Sequence, residues 1–302
     1  MPARRPTRSS RTASRGSCMP ANSEGISSAT GRLLHWLVWF LNLAAAAGVL
    51  AITFELAPKF GFHVEIAPTL AIFLSASLAS VGGFAFSAIA ASILSYIIPE
   101  TVHALQTILV ASIALQTYSL LFLWRHIRLR FVFEALLGGI LFMPLGLYLL
   151  FSMTPSVYRL YLGLFLAAYC VLSVFKPRDL FLPNNGIVRF LVGGVGGITG
   201  PTAALPGALP VVWASLTTMG KNEQRAFYQP YILAMQAASL IALGSTQPST
   251  PLLSEDALVV IPALCGTHLG LFVFKKLSST QFTLAINGFL MMSALGLIVR
   301  SL

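Results

Sequence analysis

From Leu33 onward the chain alternates long apolar stretches with short polar loops. Most of these stretches run to about 20 residues, the length at which a helix crosses the hydrocarbon core of a bilayer. The first is Leu33 to Phe54. Polar residues Glu55 to Glu65 follow, then a much longer stretch over residues 66–98 whose middle reads Ser80-Val81-Gly82-Gly83-Phe84. Two adjacent glycines weaken a helix there. Ordinary spans are predicted over 103–123, 132–152 and 157–175. After a polar, basic connector a second long stretch covers 188–217, interrupted by Gly193-Gly194-Val195-Gly196-Gly197-Ile198-Thr199-Gly200-Pro201 with Pro206 and Pro210 beyond. Three more ordinary spans close the chain, over 226–244, 257–274 and 281–299.

The order of elements repeats: one interrupted stretch and three plain helices, twice. Laying Phe73-Leu74 on Phe190-Leu191 puts Gly83 on Gly200 without a gap, and Gln106-Thr107-Ile108-Leu109 resembles Gln229-Pro230-Tyr231-Ile232. The expected fold is therefore an all-α polytopic membrane protein. An N-terminal anchor helix (33–54) precedes a first repeat over 66–175, a cytosolic linker over 176–187 and a second repeat over 188–300. Residues 1–32, rich in Arg, Ser, Thr and Pro, suit a disordered basic tail. The same composition suits a transit peptide, and a start at Met19 would leave the first arginines untranslated.

Composition agrees with a bilayer setting. Of 302 residues, 56% are hydrophobic and only 9% charged, far below the roughly 25% of a soluble domain. The net charge of +10 sits in short loops instead of along one face, which fits the positive-inside rule and argues against nucleic acid. If each interrupted stretch is a re-entrant hairpin entering and leaving on one side, 16 of the 19 Lys and Arg fall on the cytosolic side, leaving Lys59, Arg159 and Arg300 outside. Single crossings would split the basic loops between the two sides. The N-terminus is then cytosolic, the C-terminus outside, and the two repeats are inverted, in a plasma or inner membrane. Three scattered cysteines, Cys18, Cys170 and Cys265, carry no metal-ligand spacing and no disulfide framework, so no metal or cofactor is expected.

Inverted repeats with broken helices that meet near the midplane recur in secondary transporters. Non-helical backbone at that depth is tolerated inside protein or against a watery cavity, and half-helix N-termini favour an anion. The competing reading is that the glycines serve only close helix packing.

At these residues the sequence resembles the sulfite exporter TauE/SafE family of membrane transporters. The likeness is carried by Gly193 to Pro201 with the prolines after it, by Lys221-Asn222-Glu223-Gln224-Arg225-Ala226 and by Gln229-Pro230. Val81-Gly82-Gly83 and the Gln106 helix are their first-half counterparts, with one glycine pair in place of the family's cluster and no proline between that pair and Pro99. The resemblance covers about Ile66 to Val299. It implies a permease or exporter of a small anion such as sulfite or an organosulfonate. No Walker A motif is present, and each negative charge leaving a negative cytosol gains about 2.3 kcal/mol per 100 mV.

Candidate substrate-binding residues are Gly82, Gly83, Gln106, Gly197, Gly200, Arg225, Gln229 and His268. Arg225, four residues before Gln229, has the forked donors that suit an oxyanion, and equally the place of an interfacial positive-inside arginine. Gln229 and Gln236 share a helix face within a span, where amides line cavities or bond neighbouring helices. His268, in Cys265-Gly266-Thr267-His268, is an ionisable residue at membrane depth, or a neutral histidine bonded to the next helix. His103 is expected at the outer surface, solvated or titrating. Trp124 and Trp213 are expected in the aromatic belts at span ends. Rival functions are an intramembrane enzyme, for which no G-x-S-x motif or paired aspartates speak, and a non-transporting assembly subunit.

Overall fold

The structure is a computed structural model, and it describes residues 44–60, 65–79, 85–121, 127–174, 182–246, 254–274 and 279–301. Residues 43–302 form one compact unit. The predicted tail, the first half of the anchor span, Gly82 and Gly83, Trp124, the first half of the linker and Lys275-Lys276 lie outside the described residues.

Every described element is helical. The first, α1, covers residues 44–56 and runs into a 3-10 turn at Ala57–Phe60. There follow α2 (Ile66–Ala79), α3 (Phe86–Ile97), α4 (Thr101–Leu120), α5 (Leu129–Ser152) and α6 (Pro155–Val174), then α7 (Gly186–Ala203), α8 (Ala208–Ser215), α9 (Lys221–Thr246), α10 (Val260–Phe274) and α11 (Ser279–Ser301). A second 3-10 turn, Ser254–Val259, leads into α10. The Gly-rich run expected to interrupt the second long stretch is helical instead: α7 continues through Gly193–Pro201 to Ala203, and the break falls beyond it, before α8 begins at Ala208. In the first stretch α2 ends at Ala79 and α3 begins at Phe86, and the break expected at Gly82-Gly83 lies outside the described residues. Among the described residues three helices are long and apolar enough to cross a membrane by themselves: Leu129–Ser152, Pro155–Leu172 and Asn222–Thr246. Large apolar side chains point outward from several helices, among them Phe133, Ile140, Leu141 and Tyr148 on α5 and Met292, Leu295 and Val299 on α11. Such an exposed apolar belt is stable in lipid and would be a liability in water.

Helix packing rests on small residues. A side-chain carbon at Gly193 would come 2.0 Å from the Ala135 carbonyl oxygen, at Gly138 1.9 Å from that of Phe190, and at Gly197 2.1 Å from that of Gly139. The backbones of α5 and α7 therefore touch, as small residues allow in membranes. α10 lies against α2 in the same way, with Gly266 close on the Phe73 carbonyl. Further pairs are α4 with α9, α6 with α11, α3 with α11, α8 with α6, α5 with α9 and α10 with α4.

One end of the bundle is held by charge. Arg189, 5% exposed, donates through Nε to Glu134 Oε2 at 2.6 Å and through Nη1 to Asn184, and its guanidinium lies 4.0 Å over the Phe131 ring. Arg130 Nε reaches the other oxygen of Glu134 at 3.0 Å, and Arg128 pairs with Glu223 at 2.5 Å. Trp213 departs from expectation. It is 2% exposed and packs edge-on against Phe227 with ring centroids 5.3 Å apart, inside the core instead of in an aromatic belt.

Candidate functional site

The start of α3 meets the break between α7 and α8. Ala85 and Ala88, at the start of α3, share the wall of a small cavity with Leu205 and Ala208, from the α7–α8 break. Its volume is about 10 Å³, room for roughly one water molecule. The break in α7–α8 is a built turn. Ala204 takes φ 54°, the left-handed region, and the Thr199 carbonyl accepts from the backbone N–H groups of Ala204 and Leu205. Thr199 Oγ1 in turn donates to the Leu205 carbonyl at 2.9 Å. A non-glycine residue in that region costs about 1–2 kcal/mol, and such local strain collects at functional sites.

Helix α9 ties both breaks together. Gln236 donates from Nε2 to Ser112 Oγ on α4 at 2.7 Å and to Ser87 Oγ on α3 at 3.3 Å, and Ser87 Oγ donates to Ser112 Oγ at 3.3 Å. Three residues on, Ser239 lies against the second break: a side-chain carbon at Gly200 would sit 2.9 Å from Ser239 Oγ. Ser87, Ser112, Gln236 and Ser239 are all buried. Among the described residues, Ser239 Oγ and Gln236 Oε1 have no hydrogen-bond partner. Ser112 accepts from both neighbours, so its own hydroxyl proton is left to donate elsewhere. Close by in sequence to the second break, Thr202 Oγ1 donates to the Ile198 carbonyl, so the Tyr161 hydroxyl donates to Thr202 across 2.9 Å. The result is a buried group of hydroxyls and amides with unused hydrogen-bonding capacity. Each unmet buried polar group costs about 1–3 kcal/mol.

The predicted residues distribute around this centre instead of converging on it. Gly200 belongs to it. Gly197, one turn earlier, faces α5 and serves helix contact. Gln106 and Gln229 are both fully buried, but they lie on opposite sides of the Ser112–Gln236 contact. The start of α4 reaches Asp256, beyond the end of α9, while Glu223 at the start of α9 reaches Arg128, beyond the end of α4. The two helices therefore run in opposite directions. Seven residues of helix put Gln229 about 10 Å from Gln236. Neither atom of the Gln229 amide has a partner among the described residues. Arg225 stands one turn earlier still, half-buried at the charged end of the bundle beside the Tyr228 hydroxyl. His268 is exposed on α10. Among the described residues no group of His, Cys, Asp and Glu is placed to hold a metal ion.

Sequence reasoning passed over Ser87, Ser112 and Ser239, because serine in an apolar helix is ordinary small-residue packing. It also passed over Asp256, for which a signal existed: an acid at the edge of a predicted span is a functional candidate.

Neither the curated proteins nor the solved structures contain a significant match to this chain. A family model does match, over residues 69–297, which takes in both breaks, all of α3 to α10 and the Gln236 centre. Its description is sulfite exporter TauE/SafE, a family of membrane transporters. A multi-pass helical chain with two broken helices meeting at a buried polar centre agrees with that match, and the protein belongs to the sulfite exporter TauE/SafE family.

Proposed function

We propose that the protein exports a small anion, sulfite or an organosulfonate, by exposing a central site between its two breaks alternately to either side of the membrane. The observation that carries this reading is the α9 bridge. Gln236 holds Ser87 beside the first break and Ser239 touches Gly200 at the second, so movement of either broken helix reshapes one polar centre. Hydroxyl donors left unused there suit the oxygen atoms of a sulfite or sulfonate group.

Inverted repeats over 66–175 and 188–300 are supported by the packing. Exchanging α2–α6 for α7–α11 turns the α5–α7 contact into α10–α2, α5–α9 into α10–α4 and α3–α11 into α8–α6, and returns α4–α9 and α6–α11 to themselves. The opposite directions of α4 and α9 agree with inversion. We assign the end carrying Arg128, Arg130, Arg189 and Arg225 to the cytosol by the positive-inside rule, with the N-terminus inside and the C-terminus outside. Anions are gathered at that basic end and leave down the membrane potential.

Efflux from proteoliposomes over a panel of sulfite, sulfonates and carboxylates, with and without an imposed potential, tests the proposal. Saturable efflux of at least one sulfur oxyanion, accelerated by an inside-negative potential, is expected. Absence of flux for every anion would sink it.

A further inference from the structure

A cavity much larger than the one beside the break lies away from the central site. It holds about 350 Å³ at the opposite end of the bundle from the arginine cluster, a volume in the range of small-molecule sites. Its wall is acidic. Among the described residues its titratable groups are Glu65 ahead of α2, Glu100 and His103 at the start of α4, and Asp256 in the turn ahead of α10. Helices α1, α3 and α10 contribute uncharged side chains, Thr53, Ile97 and Pro262 among them. Carboxylates gathered in one recess raise the local concentration of cations and repel anions, so this recess is a poor place for the anion.

One pair in it is built. Asp256 is only 5% exposed. Its Oδ1 lies 3.2 Å from His103 Nε2 and accepts from Thr107 Oγ1 at 2.9 Å. The contact joins α4, from the first half of the chain, to the turn that starts α10, in the second half. Histidine is the side chain whose charge ordinarily changes between about pH 5 and 8. A protonated His103 makes the contact an ion pair, and a neutral one leaves a single hydrogen bond. Helix α4 continues from His103 to Ser112, about 13 Å along the axis, where it meets Gln236 at the centre. The same rigid helix thus carries the outer pair and one wall of the polar centre.

We propose that this cavity is the entry site for a proton, held by His103 and Asp256, and that the proton moves inward as the anion moves outward. The proposal rests on the transport reading and its sidedness. Proton binding draws α4 onto the α10 turn and closes the outer mouth. Release of the proton frees α4, and the acidic wall hastens departure of the anion. Glu65 and Glu100 act as the antenna that supplies the proton. Inward proton and outward anion movement both gain from an inside-negative potential.

The full chain is reconstituted in vesicles with the pH dye pyranine inside, and sulfite or methanesulfonate, which stays ionised, as the anion. Making the outer medium one pH unit more acid is expected to raise the steady-state outside-to-inside anion ratio about ten-fold per coupled proton, with internal acidification in step. His103→Gln and Asp256→Asn are expected to abolish both effects. Wild-type anion flux without proton movement, or a response unchanged in both variants, would overturn the proposal and leave transport standing. So would coupling to a sodium gradient at clamped pH. If the wild type moves no anion at all, the transport reading fails first, and the pyranine signal still decides the proton site: internal acidification lost in both variants supports it, and acidification equal to wild type in both refutes it.

Discussion

Ser239→Ala separates a site residue from a packing residue. The serine is fully buried, and its hydroxyl has no partner among the described residues. Removing an unpaired buried hydroxyl relieves a desolvation cost of about 1–3 kcal/mol. The lost contact is one oxygen atom, worth only a few tenths of a kcal/mol of dispersion. The variant should therefore be as stable as the wild type or more stable, by up to about 2 kcal/mol. Function should move the other way. If the hydroxyl donates to the anion, its loss removes a charge-assisted hydrogen bond of about 1.5–3 kcal/mol, which is roughly a 10- to 100-fold loss of affinity. The assay is concentration-dependent efflux from proteoliposomes, paired with thermal unfolding of the same preparation in detergent. A variant that unfolds more easily would show that Ser239 holds the helices together and is not reserved for a ligand. Unchanged stability with unchanged half-saturation would remove Ser239 from the site.

Other substitutions test neighbouring parts of the argument. Gly197→Ala drives a methyl to 2.1 Å from the Gly139 carbonyl and should cost about 1–3 kcal/mol by overpacking, seen as a lower unfolding midpoint. Gly200→Ala meets a side-chain oxygen at 2.9 Å instead of backbone, so its fold should survive while efflux falls. Arg189→Ala strips Glu134 of its closest partner and should cost about 3 kcal/mol, the low end for a broken buried pair because Arg130 still faces the carboxylate. Arg189→Lys should recover only part of that loss, since lysine lacks the fork. Ala204→Gly relieves the left-handed strain of about 1–2 kcal/mol, but it loses a fully buried methyl worth about 0.8 kcal/mol and carries an unfolded-state penalty of about 0.4–1 kcal/mol, so the unfolding midpoint should barely move.

How far the sequence carried the argument depended on which physical signal each part left behind. Long apolar runs are local patterns, and they placed the helices, whereas the Gly193–Pro201 run misplaced the second break: its glycines stay helical because they pack against α5, and the chain turns only at Ala204. The family was legible because the Gly193–Pro201 run and the Lys221–Arg225 segment are contiguous. The polar centre is not contiguous. Ser87, Ser112 and Ser239 acquire meaning only when α3, α4 and α9 cross, and their sequence neighbours are the Ala and Leu of any buried helix. Glycines posed the converse problem. Gly197 and Gly200 are indistinguishable in sequence, yet three residues of helix turn the first onto α5 and the second onto Ser239. Gln106 and Gln229 stand in similar sequence surroundings, which suggested a shared site, but α4 and α9 run in opposite directions, and that carries the two amides apart. Only side chains near the level where the two helices cross become neighbours, and Ser112 and Gln236 stand at that level. The centre therefore sets a serine against a glutamine, and because α9 carries both Gln236 and Ser239, the search for its substrate should begin there.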